Sequence, residues 1–152
     1  MLPQAFFRRR HLHLTQDATM PSLIHDLLAS PSFEIFARIL LTSFFWVAGI
    51  FGLFKFGMMV NVIERQSLPA PRLIVAAMIV TELVGSALLI TNFNGMAWLG
   101  AGALGVFTLL SIPLGHPFWR FSPPKKMEEF QIALEHLAVT GGLICAAILT
   151  VR

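Results

Sequence analysis

Four apolar stretches punctuate the chain, separated by polar or proline-bearing segments. They run from about Phe36 to Met58, Leu73 to Phe93, Met96 to Leu114 and Phe130 to Val151. A membrane-spanning helix needs roughly 20 mainly apolar residues, and all four stretches reach that length. The alternating polarity of half-buried strands is missing. A lipid interior offers no water to backbone groups, so open runs of this kind must be helical. The pattern predicts an all-α fold, an integral membrane four-helix bundle.

The connections carry their own signals. Ser67-Leu68-Pro69-Ala70-Pro71 opens the second helix with prolines suited to a turn and a first helical position. Asn92-Phe93-Asn94-Gly95 is a tight uncharged turn, which makes helices two and three an antiparallel hairpin. The third connection, His116 to Glu129, is longer and holds Pro117, Pro123, Pro124, Lys125 and Lys126. Residues 1–35 form a polar extension broken by Pro3, Pro21 and Pro31, expected to be partly disordered or to lie outside the native start. Residues 36–151 form the four-helix domain. The extension lacks the apolar core of a signal peptide. Met20 is an alternative start to Met1, and the first span serves as an uncleaved anchor.

Composition agrees with this reading. The 152 residues are 56% hydrophobic and 12% charged, with a mean hydropathy of +0.75. A soluble domain carries about 25% charged residues, so this chain has too little polar surface to cover a globule. The net charge of +3 is largely a tail property: residues 1–19 hold Arg8, Arg9, Arg10 and Asp17, and without them it falls to +1. No basic stripe with interleaved aromatics is present, which argues against nucleic acid as a partner. The single cysteine, Cys145, excludes an intramolecular disulfide and reads as a small buried hydrophobe.

Four spans put both termini on one side. Arg8, Arg9, Arg10, Arg38 and Arg152 flank that side, and Lys55, Arg65, Arg72, Arg120, Lys125 and Lys126 flank the other. Five against six does not orient the chain. A start at Met20 gives two against six, which favours termini outside the cytoplasm.

Ionisable groups inside spans face protein or water rather than lipid. Glu82 lies roughly 13 Å into the second span, near the midplane. Gly85 and Ser86 share its face. It reads either as a proton-accepting or ligand-binding carboxylate or as a structural one paired to another helix. Lys55, near the end of the first span, either snorkels to the interface or pairs with Glu82 or Glu135. His116 ends the third span, and Glu135 and His136 fall one to two turns inside the fourth, at the same membrane face as Lys55. Glu135 and His136 point about 100° apart and cannot both face one partner. The five form one candidate polar cluster. Haem or a metal between the two histidines is a minor reading, since no further ligand completes the set; no metal is expected. Phe118 and Trp119 suit an interfacial aromatic anchor. Small residues at four-residue spacing (Ala48 and Gly52; Ala97, Ala101 and Gly105; Ala138, Gly142 and Ala146) read as packing seams. Phosphate-cradling loops, HExxH and nucleophile–base pairs do not occur in the sequence, so a chain catalytic on its own is not expected.

The ordered motifs resemble the DoxX family of small four-helix membrane proteins. They are Gly49 to Lys55, Leu68-Pro69-Ala70-Pro71, Thr81-Glu82-Leu83-Val84-Gly85, Phe107-Thr108-Leu109, His116-Pro117-Phe118-Trp119 and Gly141-Gly142-Leu143. The resemblance covers about Phe36 to Val151. Glu135-His136 stands where the family often has a Lys-Asn pair, Ser67 replaces a usual Gly, and the turn at Asn92 to Gly95 lacks a common basic residue. The resemblance implies the bacterial inner membrane. It also implies a redox setting, since some relatives are subunits of thiosulfate:quinone oxidoreductases. Three functions follow as expectations. The first is a non-catalytic subunit or scaffold of a redox or stress-response complex, with the lipid bilayer and membrane or redox proteins as partners. The second is a small proton-coupled carrier using Glu82. The third is a quinone-binding subunit using Phe118, Trp119 and His116, with quinone as the only cofactor that the resemblance brings in.

Overall fold

The computed structural model describes residues 21–151. Expectations about Arg8 to Arg10, Arg152 and the choice of Met1 or Met20 as start lie outside the described residues. Six helices follow one another: α1 (Ser22–Leu28), α2 (Pro31–Phe54), α3 (Phe56–Arg65), α4 (Pro71–Thr91), α5 (Ala97–Gly115) and α6 (Lys125–Thr150). No strand occurs among the described residues. Helices α2, α4, α5 and α6 are each long and apolar enough to cross a membrane, as the hydrophobic pattern predicts.

The helix ends follow from local chemistry. Helix α2 starts at Pro31, ahead of Phe36 where the apolar run begins. Ser30 caps it by accepting a hydrogen bond from the Phe33 N–H (3.1 Å), and Pro31 supplies a pre-set first turn. It ends at Phe54, short of the expected Met58. Lys55 takes φ −117° and ψ 29°, and this break sends the following apolar residues into the separate helix α3. Pro71 opens α4 as expected. In the Asn92 to Gly95 turn, Asn92, Asn94 and Gly95 all adopt positive φ, which Asn and Gly tolerate best. The Asn92 side chain accepts from the Ala97 N–H (3.1 Å) and so ties the turn to the start of α5. Helix α6 begins at Lys125, so the last connection is shorter than the sequence suggests.

The bundle packs in chain order, α2 on α4, α4 on α5 and α5 on α6, while α3 folds back onto α4. Phe45, Leu89, Ala97, Ala101, Leu104 and Leu143 form the main core; Val60, Ile63, Val75 and Ile79 form a second one beneath α3. The outer surface is apolar, with Phe44, Phe54, Leu73 and Leu149 exposed, as lipid contact requires. The closest backbone approach joins α4 to α5. A Cβ on Gly100 would lie 2.5 Å from the Gly85 carbonyl oxygen and 2.9 Å from the Leu89 nitrogen.

The expected seams are partly redrawn. Ala97, Ala101 and Gly105 are buried, and Gly52 lies against Ile79. Ala138 faces outward instead, and the closest contacts belong to Gly49 and Gly100. Cys145 is exposed rather than buried, because it falls on the side of α6 turned away from α5.

Candidate functional site

Two polar groupings stand out, one at mid-membrane and one at the face that carries α3 and the 116–124 connection. At mid-membrane, Glu82, Gly85 and Ser86 are all buried on one side of α4, as their spacing predicts, and Glu82 is only 6% exposed. Helix α2 comes close here: a Cβ on Gly49 would sit 3.3 Å from Glu82 Cβ. Several span hydroxyls elsewhere return to their own helix. Thr42, Thr91, Thr108, Ser111 and Thr140 each donate to the carbonyl four residues back. The Ser86 hydroxyl does not, and it is buried with no hydrogen-bond partner. Trp46, about one turn from Gly49 on α2, likewise has its indole N–H buried and unpartnered. Neither an ion pair nor a hydrogen bond to Glu82 exists among the described residues. A carboxyl that makes no hydrogen bond, and a buried hydroxyl and a buried indole N–H that have no partner, thus lie on the two facing helices within about two turns.

Lys55 does not join them. It is exposed at the α2–α3 break and forms no ion pair with Glu82 or Glu135 among the described residues. The physical reason is register: six residues separate Lys55 from Gly49, about 9 Å of helix rise, and its side chain turns outward while Glu82 turns into the seam. Snorkelling, the other fate expected of Lys55, fits this exposure.

The loop-face grouping is tighter than the sequence suggests. His116 Nδ1 donates to Glu129 Oε2 (2.9 Å), and the His116 and His136 rings lie 5.1 Å apart. His136 Nδ1 donates to the Ile132 carbonyl (2.8 Å). Both rings therefore spend Nδ1–H on an acceptor, leaving each Nε2 available in the neutral tautomer. The result is a Glu129–His116–His136 ladder running from the connection into α6. Glu135 takes no part: about 100° round α6 from His136, it is exposed, and Gln131 Nε2 donates to it (3.1 Å). Among the described residues no group of three or more His, Cys, Asp or Glu is arranged to hold a metal ion. Phe118 packs edge-on against Trp119 (5.1 Å) and Phe130 (5.2 Å), which pins the connection to α6 while Trp119 stays exposed.

Compared with known families, residues 33–117 match the DoxX model, more than half of the chain. The chain belongs to the DoxX family. Among curated proteins and solved structures it has no match. The DoxX match spans α2 to the end of α5 and includes Lys55, Glu82 and His116; α6, with Glu129, Glu135 and His136, follows it.

Glu129 and Trp46 escape sequence reasoning. Glu129 sits where the chain reads as loop, and a tryptophan in a span reads as packing. The His116–Glu129 pair is half-buried, with side chains 30% and 17% exposed, so water screens it in part. A double-mutant cycle between His116→Gln and Glu129→Gln is expected to give a coupling of about 1 kcal/mol. Thermal unfolding in mild detergent measures it, and additive single effects would show that the pair contributes nothing.

Proposed function

We propose that this DoxX-family membrane protein is a non-catalytic subunit or scaffold of a redox or stress-response complex in the bacterial inner membrane. The observation that carries the subunit reading is the outward face of α6. Glu135 and Gln131 are exposed there, with Ala138, Gly141 and Cys145 continuing the same side along the helix. A carboxylate turned toward lipid is costly and calls for a protein neighbour; small residues beside it let a second helix approach closely. The redox setting rests on the family resemblance.

The test is affinity purification at native expression level in mild detergent, with the Cys145 thiol as a cross-linking handle. A stoichiometric oxidoreductase or sulfur-handling protein is expected, cross-linked through Cys145. Recovery should fall at least tenfold on Gly141→Leu, at an exposed position where an added Cβ meets nothing within 4 Å, with thermal unfolding in detergent unchanged as the check that the bundle is intact. A clean preparation, or a partner indifferent to Gly141→Leu, overturns the reading.

A second reading has its own observation. The unsatisfied Glu82, Ser86 and Trp46 groups favour a small carrier that binds a polar ligand or moves a proton at the midplane. In that reading Glu82 takes up and releases the proton, while Ser86 and Trp46 supply hydrogen bonds.

A further inference from the structure

Where the ends of α3 and α5 meet the 116–124 connection there is a cavity of about 380 Å³. Its polar lining comes from Arg65, Gln66 and Arg120, and its apolar lining includes Leu68, Leu114 and Phe121. Arg65 is the last residue of α3, and Arg120 closes the short turn after α5. Both therefore sit at the level where the spans end, the depth of lipid headgroups in a bilayer.

Charge decides what the cavity suits. Two arginines line it and no acidic residue does. Neither arginine forms an ion pair among the described residues. Glu129, on the first turns of α6, is engaged by His116, and Glu64, beside Arg65 on α3, is exposed and forms no ion pair with it. Guanidinium forks match phosphate oxygens in pairs, and the leucine and phenylalanine walls suit the glycerol and upper acyl region of an amphiphile. A basic pocket between spans at the membrane surface is a recognised way to hold an anionic headgroup.

We infer that this cavity binds a phosphate-bearing anion, supplied by an anionic phospholipid whose headgroup lies between Arg65 and Arg120. Gly115 and Pro117 also line it, and they flank His116, whose ring turns the other way toward Glu129 and His136. Lipid in the cavity thus braces the connection that carries the histidine ladder. Unlike the partner face on α6, this site needs no second protein.

The experiment uses the full chain purified in neutral detergent, with thermal unfolding and native mass spectrometry as readouts. Phosphatidylglycerol is expected to be retained and to raise the midpoint, while phosphatidylcholine does neither. Arg65→Gln and Arg120→Gln should each lower phosphatidylglycerol retention roughly fivefold, the attraction of one basic group for an anionic headgroup. Lys126→Gln, exposed and outside the cavity lining, should leave retention unchanged. Equal retention of the two lipids, or a Lys126 effect as large as the arginine effect, overturns the site. Inorganic phosphate alone is the last arm: a midpoint rise equal to that of the lipid overturns the phospholipid assignment in favour of free phosphate.

Discussion

Gly100→Ala is expected to be among the most damaging single-methyl additions in this bundle, lowering stability by about 3 kcal/mol, the upper end of the overpacking range. The added carbon would meet the Gly85 carbonyl oxygen at 2.5 Å, Leu88 Cβ at 2.9 Å and the Leu89 nitrogen at 2.9 Å. Two of those three atoms are backbone, so no rotamer change relieves the clash and α4 must move away from α5. The displacement would also shift Glu82 and Ser86, which share the α4 backbone with Gly85. Gly102→Ala is the matched control, since a Cβ there meets nothing within 4 Å. It should be neutral or stabilising by a few tenths of a kcal/mol, because alanine loses less backbone entropy in a helix. Thermal unfolding in detergent compares the two. A Gly100→Ala variant as stable as Gly102→Ala would mean that the α4–α5 contact is loose.

Glu82→Leu should act in the opposite direction on stability while removing function. The carboxyl is buried in the α2–α4 seam without a partner among the described residues, and an unsatisfied buried polar group costs about 1–3 kcal/mol. Leucine is close in size and needs no partner, so the variant should unfold later by about that amount. Glu82→Gln keeps the shape and a hydrogen-bonding end but gives up the exchangeable carboxyl proton. In the carrier reading both variants lose proton-coupled movement of the ligand, Glu82→Gln with folding intact. A stability given up for activity is a common pattern at functional sites. If Glu82→Leu instead unfolds earlier, the carboxyl is a structural group and the carrier reading falls.

The four spans were legible because each is a run of apolar residues long enough for a bilayer, a property that needs no knowledge of neighbours. The Glu82–Gly85–Ser86 face was legible for a similar reason, since helical periodicity alone puts those residues together. What crosses between helices was not. Gly49 and Gly100 are set apart from other small residues by the register of α2 and α5 against α4, which no single helix encodes. The break at Lys55 was hidden because the apolar run continues through Met58. The ion pairs followed the same rule. Pairing with Glu82 or Glu135 was one of the two fates read for Lys55, and orientation sends it outward, while His116 found Glu129 in a helix that starts sooner than the prolines suggest. Arg38, read only as a flanking charge, spans two helices by bonding Glu34 and the Leu89 carbonyl.

The chain-order packing has a consequence for biosynthesis. Each span rests mainly on the one before it, with only slight contact between α2 and α6, so the emerging chain never waits for a distant segment before burying a helix. The α4–α5 hairpin, joined by a four-residue turn and tightest at Gly85 and Gly100, can leave the insertion machinery as one preformed unit on which α6 then docks. Errors of assembly should therefore concentrate at α6. Truncation before Lys125 would leave an inserted three-span intermediate whose exposed α5 face is a natural substrate for membrane proteases.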